Sequence, residues 1–251
     1  MKAIFLGTNG WYDTVTGNTV SILIRTGDHD IILDAGTGFH KVDRYVPPGD
    51  EKPATLLLSH FHLDHIIGLH TLVQRRFTKG LNICGPAGTR QILATFVNSP
   101  FTIALERLPF ETSIFELPEE KDRLPFAVET RPLFHSGLTL GFRFEIDGKI
   151  IAYCPDTGYC ENAVALARSA DLLITECAYK SGEALESWPH LNPETAARIA
   201  VEAGAKKLVL THFAADTYLT LAERKVSEQV ARTIFADTVA AMDDMQVELD
   251  V

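Results

Sequence analysis

Between residues 54 and 70 the chain reads ATLLLSHFHLDHIIGLH, which puts four potential metal ligands, His60, His62, Asp64 and His65, within six residues. The apolar run Leu56-Leu57-Leu58 ahead of them has the composition of a short buried strand. In an extended segment residues i and i+2 point the same way, so His60 and His62 can reach one ion. Asp64 and His65 lie past the turn, where they can face a second ion beside the first. A histidine-rich surface loop is the competing reading. It is disfavoured because loops that directly follow a buried strand are where function is commonly carried.

Three further candidates stand at comparable places. His135 follows the apolar pair Leu133-Phe134, Asp156 follows Ala152-Tyr153-Cys154-Pro155, and His212 follows Leu208-Val209-Leu210-Thr211. Each is a hard or borderline ligand just past an apolar run. Taken singly, a histidine after a strand is more often structural than ligating. Imidazole and carboxylate donors suit zinc, and they also suit manganese or iron.

His60-x-His62-x-Asp64-His65 after an apolar strand, with His135, Asp156 and His212 downstream, resembles the signature of the metallo-β-lactamase superfamily. The resemblance implies an α+β fold, a four-layer αββα sandwich with its metal site at one edge. It also implies two divalent metal ions, zinc before manganese or iron. His60, His62 and His135 would hold one ion, and Asp64, His65 and His212 the other, with Asp156 bridging. A bridging aspartate, where the best-known lactamases have a cysteine, favours two hard ions; Cys154 is read as core. Asp34 resembles the family's aspartate beside the site, which accepts the spare N–H of a ligand histidine. Capping a helix that begins near Phe39 is its alternative role.

The order of motifs from the first strand to Phe213 is similar to the tRNase Z-like branch, and Gly85-Pro86 between a strand and a helix fits the same branch. In those enzymes a Glu and a His in the places of Glu176 and His190 pair, and the His protonates the leaving alkoxide. An alkoxide is a poor leaving group, so a general acid beside the metals is chemically needed. Glu176 would keep His190 protonated and oriented; otherwise the two are a surface acid and a helix-entry histidine that never meet. With Asp64 they make up the expected catalytic set.

A water shared by two divalent cations ionises near neutral pH and can attack phosphorus or a carbonyl. The expected activity is a phosphodiesterase, with a metal-bridging hydroxide as nucleophile and His190 as general acid. A tRNA-gripping arm expected near the segment from His135 to Asp156 is missing, since only a short hairpin over 139–154 fills it. The substrate is therefore expected to be a small phosphodiester: a cyclic nucleotide, a cyclic sugar phosphate or a short oligonucleotide. Alternatives on the same metals are a thioester, lactone, lactam or arylsulfate, and tRNA 3′-end cleavage. An iron-dependent oxidoreductase and a non-catalytic binding subunit rank lower.

These residues need strands that end at one edge. Strands are expected at 2–6, 20–25, 30–33, 81–84, 126–132, 139–146, 149–154, 172–175 and 207–211. Helices are expected at 70–77, from about 85 to 97, and at 163–168, 193–203 and 221–241. Asp147-Gly148 is a tight hairpin turn, and Asn192 is placed to cap the helix at 193. Residues 41–53 read as loop. Residues 98–120, with no clear period, read as a substrate-side or dimer-side excursion. Trp11 and Tyr12, after the loop Gly7-Thr8-Asn9-Gly10, are candidates to wall a pocket.

The 251 residues, 46% hydrophobic and 22% charged, are those of an ordinary globular chain, read as one hydrolase domain spanning 1–251. A net charge of −10 disfavours extended nucleic acid, whose binding needs basic stripes. No stretch has the length of a membrane span, and the start lacks the apolar core of a secretory signal. Cys84, Cys154, Cys160 and Cys177 form no Cys-x-x-Cys pair and read as reduced thiols of a cytoplasmic protein. That compartment weighs against an antibiotic-destroying lactamase. The expected partner is a small-molecule substrate. Dimers are common in the resembled family, but no stretch here identifies a homodimer interface.

Overall fold

The central strands of this protein are apolar on both faces, and the computed structural model, which describes residues 1–249, shows what covers each face. In Ser21–Arg25, Ile22 and Ile24 point one way into a core shared with Phe142, Phe144, Ile151, Tyr153 and Ile174 of the opposite sheet. Leu23 points the other way, into a core with Leu56, Leu58, Phe39, Leu69 and Leu93. A third core packs Ala152, Cys154, Leu173, Leu208 and Leu210 under the helices Glu161–Ala167 and Pro193–Ala203. Period-two alternation thus feeds a central core and two outer ones, giving helices, sheet, sheet and helices in that order. Buried leucines such as Leu56 and Leu210 are each worth roughly 2–5 kcal/mol against alanine.

The first sheet runs Met245–Glu248, Lys2–Gly7, Ser21–Arg25, Asp30–Leu33, Ala54–Leu57, Leu81–Pro86 and Thr112–Leu117. Its last four strands are mutually parallel. The second sheet runs Thr238–Ala240, Leu208–Thr211, Leu172–Glu176, Lys149–Cys154, Leu140–Ile146 and Val128–Pro132. Its first four strands are parallel, and the last two join as hairpins. Asp147 and Gly148 both have positive φ (51° and 70°), as the two-residue turn requires. A short parallel pair, Asn9–Gly10 with Phe213–Ala214, ties the two sheets together beside His212.

Several boundaries differ from the sequence expectations. The helix expected over 221–241 is Leu221–Arg232, and Thr238–Ala240 is an edge strand of the second sheet. Within 98–120, the expected excursion, Thr112–Leu117 is a strand of the first sheet. Leu105, Leu108 and Phe110 of the same stretch pack on the outer core. Residues 41–53, read as loop, open with the helical turn Val42–Tyr45. Helical structure after the histidine cluster starts earlier than expected, as Leu63–Ile66 followed by the 3-10 run Ile67–Gln74. Among the described residues no helix is long and apolar enough to cross a membrane, and the four cysteines are free.

Candidate metal centre

Parallel strands deliver side chains to the edge where their carboxyl ends lie, and loops there are free of ladder duties. His60 comes three residues after Ala54–Leu57, and Asp34 directly after Asp30–Leu33. Asp156 follows Lys149–Cys154, Glu176 ends its strand, and His212 links Leu208–Thr211 to Phe213–Ala214. His62 precedes the short helix Leu63–Ile66, whose first turn carries Asp64 and His65. His135 follows Val128–Pro132.

The fold gathers these side chains in two adjoining groups. Ligand atoms of His60, His62, His135 and Asp156 lie within 4.8 Å of one another, and so do those of Asp64, His65 and His212. Asp156 faces both groups. Its Oδ2 is 3.8 Å from His60 Nε2 and from His135 Nε2, while its Oδ1 is 3.1 Å from His65 Nε2 and 3.2 Å from His212 Nε2. Asp64 Oδ2 lies 3.2 Å from His212 Nε2 and 3.7 Å from His65 Nε2.

Surrounding hydrogen bonds decide which nitrogens carry lone pairs. His65 Nδ1–H donates to Asp34 Oδ2 (2.9 Å), so Nε2 is the nitrogen turned to the site. Burial would lower this ring, but Asp156, Asp64 and Asp34 hold it well above the usual imidazole range, so a cation bound there would displace its Nε2 proton. Asp34 is itself fully buried and accepts from the Ser59 amide (2.7 Å), the Ser59 hydroxyl (2.8 Å) and the Tyr153 hydroxyl (2.7 Å). Because Ser59 spends its hydroxyl proton on Asp34, its oxygen accepts from His60 Nδ1–H (3.0 Å), which turns His60 Nε2 inward. Asp34 therefore orients a histidine of the cluster. The alternative, helix capping, is not made, since the helical turn after it has no side-chain cap.

Lone pairs converging on one spot ask for a cation. His60 Nε2 and Asp156 Oδ1 are buried with no hydrogen-bond partner, and such orphans are costly unless something positive sits between them. Burial and the neighbouring His65 push His60 well below the usual imidazole range, and burial also lowers His135. Both then favour the neutral form that ligates. Burial would raise Asp156, but the neighbouring His212 and His65 hold it well below the usual carboxylate range. The donor set fits divalent transition metals.

Beside this cluster lies a second constellation. Glu176 Oε1 accepts from His190 Nδ1–H (2.6 Å) and from the Thr157 amide (2.6 Å). Its Oε2 accepts from the Ala178 and Leu191 amides (3.1 and 3.2 Å). Burial alone would lower His190, yet the Glu176 carboxylate, with Asp156 and Asp64 behind it, pushes it up to about 9. Asn192 fixes the segment by capping Pro193–Ala203: its Oδ1 accepts from the Thr195 amide (2.9 Å), while its own amide donates to Thr195 Oγ1 (3.0 Å). Ligand atoms of His190, Asp156 and His212 also fall within 4.8 Å of one another.

A cleft of about 610 Å³ opens over both constellations, lined among others by Trp11, Asp64, Trp188, His190 and His212. Trp11 is thus at the cleft; Tyr12, its expected companion, does not line it. Trp188, Ser59 and Tyr153 were not singled out by the sequence. The adjacency of Trp188 to His190 and of Ser59 to His60 was the available signal, whereas Tyr153 reads simply as an apolar strand residue.

The chain is similar to several known proteins. A family described as Beta-lactamase superfamily domain matches residues 29–213. The probable metallo-hydrolase YhfI of Bacillus subtilis is 28% identical over 84% of this chain and 86% of its own. The crystal structure of that protein superposes with a TM-score of 0.79, covering 98% of this chain and 99% of the other. Ribonuclease Z of Thermobifida fusca is 27% identical, covering 98% of this chain and 94% of its own. Human tRNase Z, short form, shares the fold, with a TM-score of 0.78, 23% identity and full coverage of both chains.

Proposed function

The chain belongs to the β-lactamase superfamily and is a metal-dependent hydrolase, and from that premise we propose that it is a phosphodiesterase whose 251 residues act as one catalytic domain. The observation that carries this reading is the buried Glu176–His190 pair, 2.6 Å apart, beside the ligand cluster. His60, His62 and His135 would hold one divalent ion and Asp64, His65 and His212 a second, with Asp156 shared. Zinc suits these donors, and manganese or iron also fit. Such ions would supply a water-derived nucleophile at neutral pH and neutralise charge on the reacting oxygens.

The chain's own residues supply the rest. His190, its Nδ1–H held by Glu176, gives the Nε2 proton to the leaving oxygen. Glu176 stabilises the imidazolium before that transfer and keeps the ring aimed. Four donors hold the Glu176 carboxylate in place, so little reorganisation accompanies proton transfer. Asp34 and Ser59 keep His65 and His60 in their ligating tautomers. A thioester or an arylsulfate on the same ions expels a thiolate or a phenolate, a better leaving group than an alkoxide, and would need this acid less.

Cleavage at a tRNA 3′ end is the second reading, favoured by the ribonuclease Z likeness. That alignment spans 305 positions, more than the 251 residues of this chain, so the relative carries segments missing here. The net charge of −10 also suits a small substrate better than tRNA, and the chemistry needs no compartment beyond the cytoplasm. The purified protein, with and without chelator, should be offered bis(p-nitrophenyl) phosphate, cyclic nucleotides, a precursor tRNA, a lactam and a thioester. Chelator-sensitive cleavage of the small phosphodiesters is expected. Turnover of the lactam or thioester alone would overturn the proposal.

A further inference from the structure

We infer that Trp11 and Trp188 form the ring-binding half of the substrate site, and that the phosphodiester taken there carries a flat ring and a single negative charge. This rests on the phosphodiesterase reading above. The chain has two tryptophans, and both line the same cleft over the ligand cluster. Trp11 is 64% exposed, an unusual placement for so large an apolar surface. Its backbone has φ of 77°, a region that bulky residues avoid, and its amide donates to Asp64 Oδ2 (2.7 Å). A strained backbone pinned to the ligand cluster therefore delivers the indole to the cleft mouth.

Trp188 packs directly against Trp11, edge to face, with ring centroids 5.9 Å apart. Its ring is within 11° of parallel to His62 at 6.4 Å, and it lies 6.0 Å from His190. The Tyr179 hydroxyl fixes its main chain by donating to its carbonyl (2.7 Å). Leu63, 62% exposed, Ala178 and Ala214 continue the apolar wall. Indole faces bind flat rings by stacking, with little regard to which ring it is.

Charge sets the second limit. Among the described residues no lysine or arginine lines the cleft, whereas Asp64, Asp156 and Asp216 do. Two divalent ions set against the Asp64 and Asp156 carboxylates leave two positive charges in excess. One diester and its anionic nucleophile use these up. A further phosphate would find Asp216 and no cation, in a protein of net charge −10. The cleft is thus built for a ring-bearing monoanion and against a polyanionic strand.

Three substrates of one chemistry test this: a nucleoside 2′,3′-cyclic phosphate, the same compound with a 5′-phosphate, and ribose 2,3-cyclic phosphate without the base. The first should exceed each of the others in kcat/KM by at least tenfold. Trp188→Ala should cut the preference for the base about tenfold, through KM, and Trp188→Phe should recover most of it. In the slow His190→Ala protein the nucleoside compound should quench tryptophan fluorescence, and the baseless compound should not. Equal kcat/KM with and without the base, preference for the 5′-phosphorylated compound, or the absence of quenching would each overturn the inference. Hydrolysis of bis(p-nitrophenyl) phosphate would in those cases leave the phosphodiesterase reading standing, whereas failure to cleave any phosphodiester would remove both.

Discussion

His190 carries the choice between phosphodiester and carbonyl chemistry, and it can be tested by leaving group. His190→Ala should lower kcat for an alkyl phosphodiester by roughly 10²–10⁴-fold, the usual worth of a positioned general acid. With a p-nitrophenolate leaving group, which departs without a proton, the loss should be much smaller. Equal losses on both would contradict the role. The pair also has a pH signature in the metal-free protein. His190 is pushed up to about 9 in the fold against about 6.5 when unfolded. The folded state then binds the extra proton, so its stabilisation is complete below about pH 6.5 and is lost as pH rises through 9. Thermal unfolding of chelated protein across that window should show this decline, and Glu176→Gln should make it shallower; an unaltered decline would contradict the pairing. Asp34 acts at one remove: Asp34→Asn should weaken metal binding by about 10–100-fold, read by equilibrium dialysis. Unchanged affinity would reduce Asp34 to a packing role.

The elements that hold these residues differ in how plainly the sequence announced them. The candidate ligands at strand ends were legible as candidates because each follows a short apolar run, and His60 to His65 are dense enough to stand out alone. The Asn192 cap with Pro193 was legible for the same local reason. Thr112–Leu117 was hidden because an edge strand buried mainly on one face lacks a continuous apolar run. The end of the last helix was hidden because 233–241 keeps helix-compatible residues and its strand partner, Leu208–Thr211, is distant in sequence. Long-range ties of this kind also position the loop that carries Trp11. Arg224, fully buried on Leu221–Arg232, donates to Thr8 Oγ1 (2.8 Å), Thr16 Oγ1 (3.0 Å) and Asn9 Oδ1, with its guanidinium 4.7 Å over the Phe213 ring. Arg224→Met should cost roughly 1–3 kcal/mol in urea unfolding by stranding those buried oxygens. An unchanged midpoint would contradict that anchoring role. Gly10, in the same loop, leaves no room for a side chain, since a Cβ there would fall 2.5–2.8 Å from the His212 ring. Gly10→Ala should therefore displace His212 and weaken the ion it is proposed to hold.

At the scale of the whole molecule, two sheets with helices outside them exist to bring seven side chains, from His60 to His212, to one edge. The resemblance read from His60-x-His62-x-Asp64-His65 fixed that architecture in outline. Unannounced was the convergence of both tryptophans on the same cleft, which depends on two loops from opposite halves of the chain. Acidic charge throughout the protein, −10 in all, needs a local cationic centre if an anionic substrate is to bind. Activity should therefore depend on the ions and their number. The most direct test is to strip the protein with chelator, restore zinc or manganese in measured equivalents, and follow bis(p-nitrophenyl) phosphate hydrolysis against bound metal. Activity should appear as the second equivalent binds and level off at two per chain. Full activity at one equivalent, or none at any loading, would contradict the shared two-ion centre around Asp156.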